Sequence, residues 1–123
     1  MPHLVLEKTP NVQSKRSDKE LFRLLHGILV DTGGIPLGNC KSRAYISEDF
    51  LVADGQGEAA FVHLDVRFLE GRDEAVRTRI GRQMVDLLVD TFSVASEQVD
   101  FQLTVEVRET ERAFYFKLPE GTL

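Results

Sequence analysis

The feature that most constrains the fold of this chain is a stretch, 59–68, in which apolar side chains occupy every second position. Strict alternation is typical of a β-strand with one face on a hydrophobic core, because successive side chains of a strand point to opposite sides of the sheet. The opposite set includes His63, Asp65 and Arg67, so the second face is mixed. The core-facing set is Ala60, Val62, Leu64, Val66 and Phe68.

Three further strands and a short edge strand are predicted elsewhere. Residues 3–8 form an apolar run that ends at a polar stretch containing a proline, and 41–46 follows a loop rich in turn-forming residues. From Phe101 to Val107 every second residue is apolar, which predicts another half-buried strand. Residues 112–117 are expected to add the short edge strand.

Two helices are predicted between these strands. Ser17 or Asp18 is a suitable N-cap for the first helix, and Gly33-Gly34 ends it. The second helix begins at Asp73-Glu74, where acidic side chains favour a helix start. The apolar residues that recur at helical spacing on one face, and are expected to pack in the core, are Leu21, Phe22, Leu24, Leu25, Ile28 and Leu29 in the first helix, and Val76, Ile80, Met84, Leu87, Leu88 and Thr91 or Phe92 in the second.

The order of elements is strand, helix, strand, strand, helix, strand, which repeats one half-pattern twice. This order predicts a ferredoxin-like β-α-β-β-α-β fold of the α+β class, with both helices on one face of the sheet. A chain of 123 residues is one ordinary domain, so we expect a single domain over 1–123. The other face of the sheet is left uncovered, and oligomerisation is the simplest way to cover it.

Composition excludes several classes of partner. A net charge of -5 and an isoelectric point near 5.2 argue against nucleic acid, which normally requires a basic face. The lone Cys40 excludes an intramolecular disulfide and a cysteine-only zinc cluster, and the three histidines are too scattered for a metal site. No stretch resembles a signal peptide or a membrane span, so no membrane partner and a cytoplasmic location are expected.

Asp31-Thr32-Gly33 follows an apolar run and superficially matches the motif of aspartic proteases. In such proteases the motif follows a strand, whereas here the preceding residues have helical period and the glycine pair is a natural helix stop. The pattern therefore favours a helix end over a protease site.

Pro2 is the candidate catalytic residue. If Met1 is removed, the nitrogen of Pro2 becomes a free secondary amine, and the strand that follows would hold it in a fixed position. If Met1 is retained, the nitrogen of Pro2 belongs to an amide and has no basicity. A terminal amine in a peptide has a pKa of about 7.7–8.0, so a base at neutral pH needs a lowered pKa.

Three cations are candidate ligands for an anionic small molecule. Arg72 lies at a strand-to-helix junction, where a side chain can reach into a cleft. Lys41 and Arg43 flank a loop-to-strand boundary, and the three together could bind carboxylates. Nearby positive charge would also lower the pKa of the amine and stabilise an anion formed during proton transfer.

Several short motifs also occur in a particular order over nearly the whole chain. They are Met1-Pro2-His3 with Leu4 to Glu7, Thr32-Gly33-Gly34-Ile35-Pro36-Leu37, Lys41-Ser42-Arg43, Ala53-Asp54-Gly55-Gln56, Ala60-Phe61-Val62-His63 and Gly71-Arg72. In their joint order and spacing these motifs resemble the 5-carboxymethyl-2-hydroxymuconate isomerases of the tautomerase superfamily.

The resemblance implies a homotrimeric isomerase that needs no cofactor and acts on an unsaturated 2-hydroxy or 2-oxo dicarboxylate in aromatic compound catabolism. It implies that Pro2 is the general base, and that Arg72 binds a substrate carboxylate or polarises the 2-oxo group. Lys41 departs from the pattern, since the family typically has arginine there, and lysine lacks the planar two-pronged contact to a carboxylate. The alternative is a non-catalytic oligomerising module that has lost the activity.

Overall fold

The structure, a computed structural model, describes residues 1–119 and contains a mixed four-stranded sheet with two helices on one face. Within the described residues, no helix has the length and apolar character needed to cross a membrane. The elements in chain order are β1 (His3–Lys8), β2 (Gln13–Ser14), α1 (Asp18–Asp31), β3 (Lys41–Ile46), β4 (Ala59–Leu69), α2 (Glu74–Thr91), β5 (Phe92–Ser93) and β6 (Asp100–Thr110).

The strand order in the sheet is β3-β1-β4-β6, so the amino-terminal strand is an interior strand. It pairs in parallel with β3 and antiparallel with β4, while β4 pairs in parallel with β6. The short strands β2 and β5, which the sequence did not predict, form a separate antiparallel pair. The predicted β-α-β-β-α-β order of the four main strands and two helices and the α+β class are confirmed, and the sheet is mixed because β1 and β3, like β4 and β6, are parallel neighbours.

The core lies between the two helices and one face of the sheet. The alternation seen in 59–68 places its apolar set inward, and β4 continues to Leu69. The opposite face of the sheet is not covered by any element of the described chain, and we call it the open face. The buried core residues include Leu4, Leu6, Leu21, Leu25, Leu29, Val62, Leu64, Val66, Phe68, Ile80, Met84 and Leu88.

Both helices begin as predicted. The Ser17 hydroxyl accepts a hydrogen bond from the Glu20 amide, and the Asp73 carboxylate accepts one from Val76. The first helix ends at Asp31, which confirms that the Asp-Thr-Gly motif stands at a helix end. Leu24 was wrongly assigned to the core, because it is 47% exposed while Leu21 and Leu25 are buried.

The predicted edge strand at 112–117 is wrong. Residues Arg112–Phe114 form a single 3₁₀ turn instead. Glu70 holds this turn in place, since its carboxylate accepts a hydrogen bond from the Arg112 amide at 3.0 Å and its carbonyl accepts one from the Arg112 side chain at 3.1 Å. The chain after this turn brings Tyr115 to the amino terminus, where its hydroxyl oxygen lies 3.1 Å from the Met1 nitrogen.

Candidate active site

The amino terminus is fixed at the end of an interior strand. Pro2 is buried, and its carbonyl oxygen accepts a hydrogen bond from the Lys41 amide at 3.2 Å. Pro2 directly precedes β1, whose first residue, His3, faces Arg67 in the β1–β4 pair. Met1 precedes Pro2 in this structure, and the terminal amine is therefore the amine of Met1.

The environment of the terminal amine disfavours its protonated, charged form. Its nitrogen lies 3.1 Å from the Tyr115 hydroxyl oxygen. Burial is the main cause that lowers the pKa of this amine from its ordinary value of 8.0, followed by the positive charges of Lys41 and Lys117, while Cys40 acts in the opposite direction. A base placed at this end of β1 would thus be less protonated at neutral pH than an ordinary terminal amine.

A cavity of about 400 Å³ lies beside the terminus on the open face. Arg43 and Arg67 give it positive charge, and Asp65 gives it one negative charge. The Asp65 carboxylate is already engaged, since it lies 2.8 Å from Arg108 Nε and 3.5 Å from Arg67 Nη2. The residues that line the cavity are Met1, His3, Val5, Arg43, Asp65, Arg67 and Tyr115.

Of the predicted cations, Arg43 is part of this cavity. Its Nη1 donates a hydrogen bond to His3 Nδ1 at 3.1 Å. His3 Nε2 in turn lies 3.3 Å from the Tyr115 hydroxyl oxygen. Burial lowers the pKa of His3 from its ordinary value of 6.5, and the positive charge of Arg43 lowers it further. Arg43 thus contacts the terminus through His3 and Tyr115.

Lys41 lies near the terminus but does not line the cavity. Its exposed side chain donates a hydrogen bond to the Asn39 carbonyl at 3.1 Å. Its charge nevertheless lowers the pKa of the terminal amine, as the sequence predicted for a cation at this position. Neighbouring Cys40 has a raised thiol pKa because it is partly buried, which favours the unreactive thiol.

Arg72 lies on the helix-covered side of the sheet. Its Nε donates a hydrogen bond to the Gly33 carbonyl at 2.7 Å, and its Nη1 reaches the Leu69 carbonyl at 3.4 Å. The guanidinium carbon is 5.4 Å from the centre of the Phe68 ring. Phe68 is buried and directly follows Arg67, the residue of β4 that faces His3. Within one chain, Arg72 does not join Arg43 in the cavity on the open face.

Sequence reasoning missed Tyr115, Arg67 and Lys117 and underestimated His3. His3 of β1 and His63 of β4 lie on the same face of the sheet. They are not neighbours, however, because His3 faces Arg67 whereas His63 faces Glu7. His63 instead lies 2.6 Å from the Thr104 hydroxyl. Only the alternation carried a signal for Arg67, and nothing in the sequence indicated where Tyr115 would lie.

A wider groove of about 530 Å³ runs between α2 and β6. Its charged residues include Arg77, whose side chain lies 3.4 Å from Glu109, and Arg82 on the exposed side of the helix. No terminal amine or histidine lines this groove. The groups suited to proton transfer are therefore at the amino terminus, in the smaller cavity.

The comparisons with known proteins define the chain as an isomerase of the tautomerase superfamily. A solved structure described as a symmetric trimer of fused 4-OT covers 95% of this chain and 92% of its own, with 16% identity and a TM-score of 0.70, a likeness in fold. More specifically, the family model described as 5-carboxymethyl-2-hydroxymuconate isomerase matches residues 2–120, and the chain belongs to that family.

Two relatives agree with this assignment. The 5-carboxymethyl-2-hydroxymuconate Delta-isomerase of Escherichia coli is 28% identical over 117 residues, covering 95% of this chain and 93% of the relative. The crystal structure of a 5-carboxymethyl-2-hydroxymuconate isomerase from Deinococcus radiodurans R1 is 33% identical with a TM-score of 0.80, covering 94% of this chain and 87% of the other. The alternative of a non-catalytic module is not favoured.

Proposed function

We propose that this isomerase transfers a proton between carbon positions of an unsaturated 2-hydroxy or 2-oxo dicarboxylate, with Pro2 as the general base and without a cofactor. The observation that carries the proposal is the burial of Pro2 at the end of an interior strand, beside a terminal amine with a lowered pKa. The names of the E. coli and D. radiodurans relatives support the substrate class. Pro2 can act as the base only after Met1 is removed, because its nitrogen otherwise belongs to an amide.

The proposed reaction begins with a neutral Pro2 nitrogen that takes a proton from the carbon chain of the substrate. The electron pair left behind is delocalised toward the 2-oxo oxygen, which gives a dienolate. The protonated Pro2 then returns the proton to a different carbon, so the double bond moves and the formula of the substrate is unchanged. Positive side chains near the terminus stabilise the dienolate more than the neutral ketone, which lowers the barrier.

We assign the carboxylates of the substrate to the predicted cations. Arg72 is proposed to bind one carboxylate or to polarise the 2-oxo group, because it lies against Phe68 at the end of β4 that pairs with the start of β1. Lys41 and Arg43 are proposed to attract the second carboxylate, since both lie near the terminus. Lysine supplies one point charge where arginine supplies a planar fork, so we expect looser selection at Lys41.

We further propose that the protein works as a homotrimer in the cytoplasm. The open face of the sheet carries Val5 and several charged residues that no element of the described chain covers, and a second copy would cover them. The trimeric neighbour of similar fold supports this assembly. Sedimentation of the purified protein tests it, and a monomer at assay concentration would exclude it.

The central experiment compares Pro2→Ala with Pro10→Ala, a matched change in an exposed turn. Intact mass spectrometry first establishes whether Met1 is removed from each protein. Ketonisation of 2-hydroxymuconate-type or phenylenolpyruvate-type dienols is then followed by ultraviolet absorbance. We expect Pro2→Ala to lose at least about 100-fold in kcat/KM, since general bases contribute about 10²–10⁴-fold. Pro10→Ala should retain full activity, and an equally active processed Pro2→Ala protein would remove Pro2 from the mechanism.

A further inference from the structure

Two arginines reach the cavity beside the amino terminus from opposite sides of β1. Arg43 belongs to β3 and Arg67 to β4, and β1 runs between these two strands. Both side chains line the cavity of about 400 Å³, together with His3 and Val5 of β1. Since neighbouring strands lie about 4.8 Å apart, the strands on the two sides of β1 are separated by about 10 Å. An anion placed over His3 and Val5 is therefore within reach of both guanidinium groups.

Both guanidinium groups keep hydrogen-bond donors for a ligand. An arginine side chain carries five N–H donors and no acceptor. Within residues 1–119, the only hydrogen bond from the Arg43 side chain goes to His3 Nδ1 at 3.1 Å, and the only one from the Arg67 side chain goes to Asp65 at 3.5 Å. Most of the donors of the two groups are thus available to a carboxylate.

The negative charge in the cavity is compensated from outside it. Of the described residues that line the cavity, Asp65 is the only acidic one. Its carboxylate lies 2.8 Å from Arg108 Nε, which is closer than its contact of 3.5 Å with Arg67 Nη2. Arg108 itself does not line the cavity. Because Arg108 holds Asp65, the charge of Arg67 remains available to an anionic ligand.

The cavity lies where the far end of a bound substrate would extend from Pro2. Met1 and His3, the residues on either side of Pro2 in the chain, both line it. Arg72 lies on the other, helix-covered side of the sheet. A substrate that reacts at Pro2 with its 2-oxo end toward Arg72 would therefore place its opposite end in the cavity.

We infer that Arg67 is a substrate-binding residue that, together with Arg43, holds the carboxylate farthest from the 2-oxo group and so selects dicarboxylates over monocarboxylates. Two guanidinium groups offer a planar carboxylate more charge-assisted hydrogen bonds than one group does. Lys41 attracts the same carboxylate by its charge, but its ammonium group is bonded to the Asn39 carbonyl and does not line the cavity. The inference rests on the proposed function for the identity of the substrate, and the volume of the cavity suits a small organic acid.

Direct binding of adipate, a saturated six-carbon dicarboxylate that cannot react, tests the contact. Arg67→Gln is compared with Arg23→Gln, a matched change at an exposed arginine on α1. Titrations followed by ¹H–¹⁵N NMR give the affinity and also show that each variant is folded. We expect Arg67→Gln to bind adipate about 10- to 100-fold more weakly, as the loss of a charge-assisted hydrogen bond predicts, and Arg23→Gln to bind it as the unchanged chain does. Arg67→Lys keeps the charge without the planar fork, so its loss should be smaller.

Kinetics on two kinds of dienol test the selectivity. Arg67→Gln should raise KM for 2-hydroxymuconate-type dicarboxylates by a similar factor, and should leave phenylenolpyruvate-type monocarboxylates unchanged, because these lack the second carboxylate. Unchanged adipate affinity in Arg67→Gln, or an equal loss of kcat/KM on both kinds of dienol, would overturn the assignment. The titration needs no catalysis, so an active processed Pro2→Ala protein would refute the proposed base and leave this test intact.

Discussion

The two faces of the four-stranded sheet are built from alternate residues of the same strands, yet they differ in burial and in charge. On the helix-covered face, Leu4, Leu6 and Leu64 are fully buried among apolar neighbours. On the open face, His3 contacts Arg43, and Asp65 contacts Arg108. The covered face supplies most of the free energy of folding, because it removes apolar surface from water. The open face carries charged and titratable groups around the amino terminus, so substitutions on the two faces should have separable effects.

The largest expected difference is between two neighbours on β1, Leu6 on the covered face and Val5 on the open face. Leu6→Ala should lower the free energy of unfolding by about 2–5 kcal/mol, because it leaves a cavity in a closely packed core. Val5→Ala should cost less than about 1 kcal/mol in the monomer. Urea unfolding measures both. An equally costly Val5→Ala in the monomer would contradict the contrast in stability, whereas a cost that appears only in the assembled protein would agree with the proposed covering of the open face by another copy.

The next largest expected effect concerns the arginines on the helix side of the sheet. Arg72→Ala should lower kcat/KM on dicarboxylates by about 10- to 100-fold, since a hydrogen bond to a charged group contributes about 1.5–3 kcal/mol. Arg79→Ala, an exposed arginine on α2, is the control and should have normal activity. Steady-state kinetics on the dienol substrates compares them. Unchanged turnover in Arg72→Ala would assign substrate binding to the open-face cations alone.

A smaller effect is expected where α1 ends against the core. A Cβ atom at Gly33 would lie 2.7 Å from the Leu29 carbonyl oxygen and 3.2 Å from Ile80. Gly33→Ala should therefore destabilise the fold by about 1–3 kcal/mol. Gly27→Ala, inside α1 with no heavy atom within 4 Å of the added carbon, should stabilise it by about 0.5–1 kcal/mol. Thermal unfolding compares the two, and a shift of the same sign in both would contradict the packing argument.

The smallest effect is the dependence of stability on pH. Burial is the main cause that lowers the pKa values of His3 and His26 from 6.5, and His26 lies on the helix side, 2.6 Å from the Ser42 hydroxyl. The unfolded chain therefore binds protons more readily, and stability present above pH 6.5 should be lost as the pH falls through 6.5 toward the lower folded values. The terminal amine adds a similar loss that begins near pH 8.0.

Urea midpoints measured between pH 8 and pH 5 test this dependence. His3→Gln should remove the open-face share of the loss, and His26→Gln should remove the share on the covered side. The Met1-retaining chain serves for both variants, because it is the form whose terminal amine the structure describes. A midpoint that rises as the pH falls through 6.5 would contradict the sign of the argument.

The sequence predicted the covered face better than the site. Alternation and helical spacing reflect burial directly, which is why β4 and the stripe with Ile80 and Met84 were confirmed. The prediction for Leu24 failed because an apolar residue beside the buried stripe of α1 still fits the helical spacing, although its side chain is exposed. The prediction of a strand at 112–117 failed because the conformation of this segment depends on Glu70, which is distant in sequence.

The position of a candidate site residue could be predicted only where the alternation of side chains along a strand shows which face of the sheet the residue occupies. A proline ahead of an apolar strand was enough to select Pro2. Lys41 and Arg43 share the parity of His3 and so lie on the open side of the sheet, whereas Arg72 lies beyond the end of β4, on the helix side. That each cation lies near the end of a strand or helix in the sequence therefore could not show whether the three side chains come together in the folded protein. Tyr115 has no periodic pattern around it, and its position follows from the turn at Arg112.

The interior position of β1 has a practical consequence for protein production. Strands pair with both sides of β1, and the terminal nitrogen is already in contact with Tyr115. An affinity tag or reporter fused to the amino end would convert the terminal amine into an amide and would have to pass through this contact. We expect such fusion proteins to fold and yet to lack isomerase activity until a protease that leaves Pro2 as the first residue removes the tag.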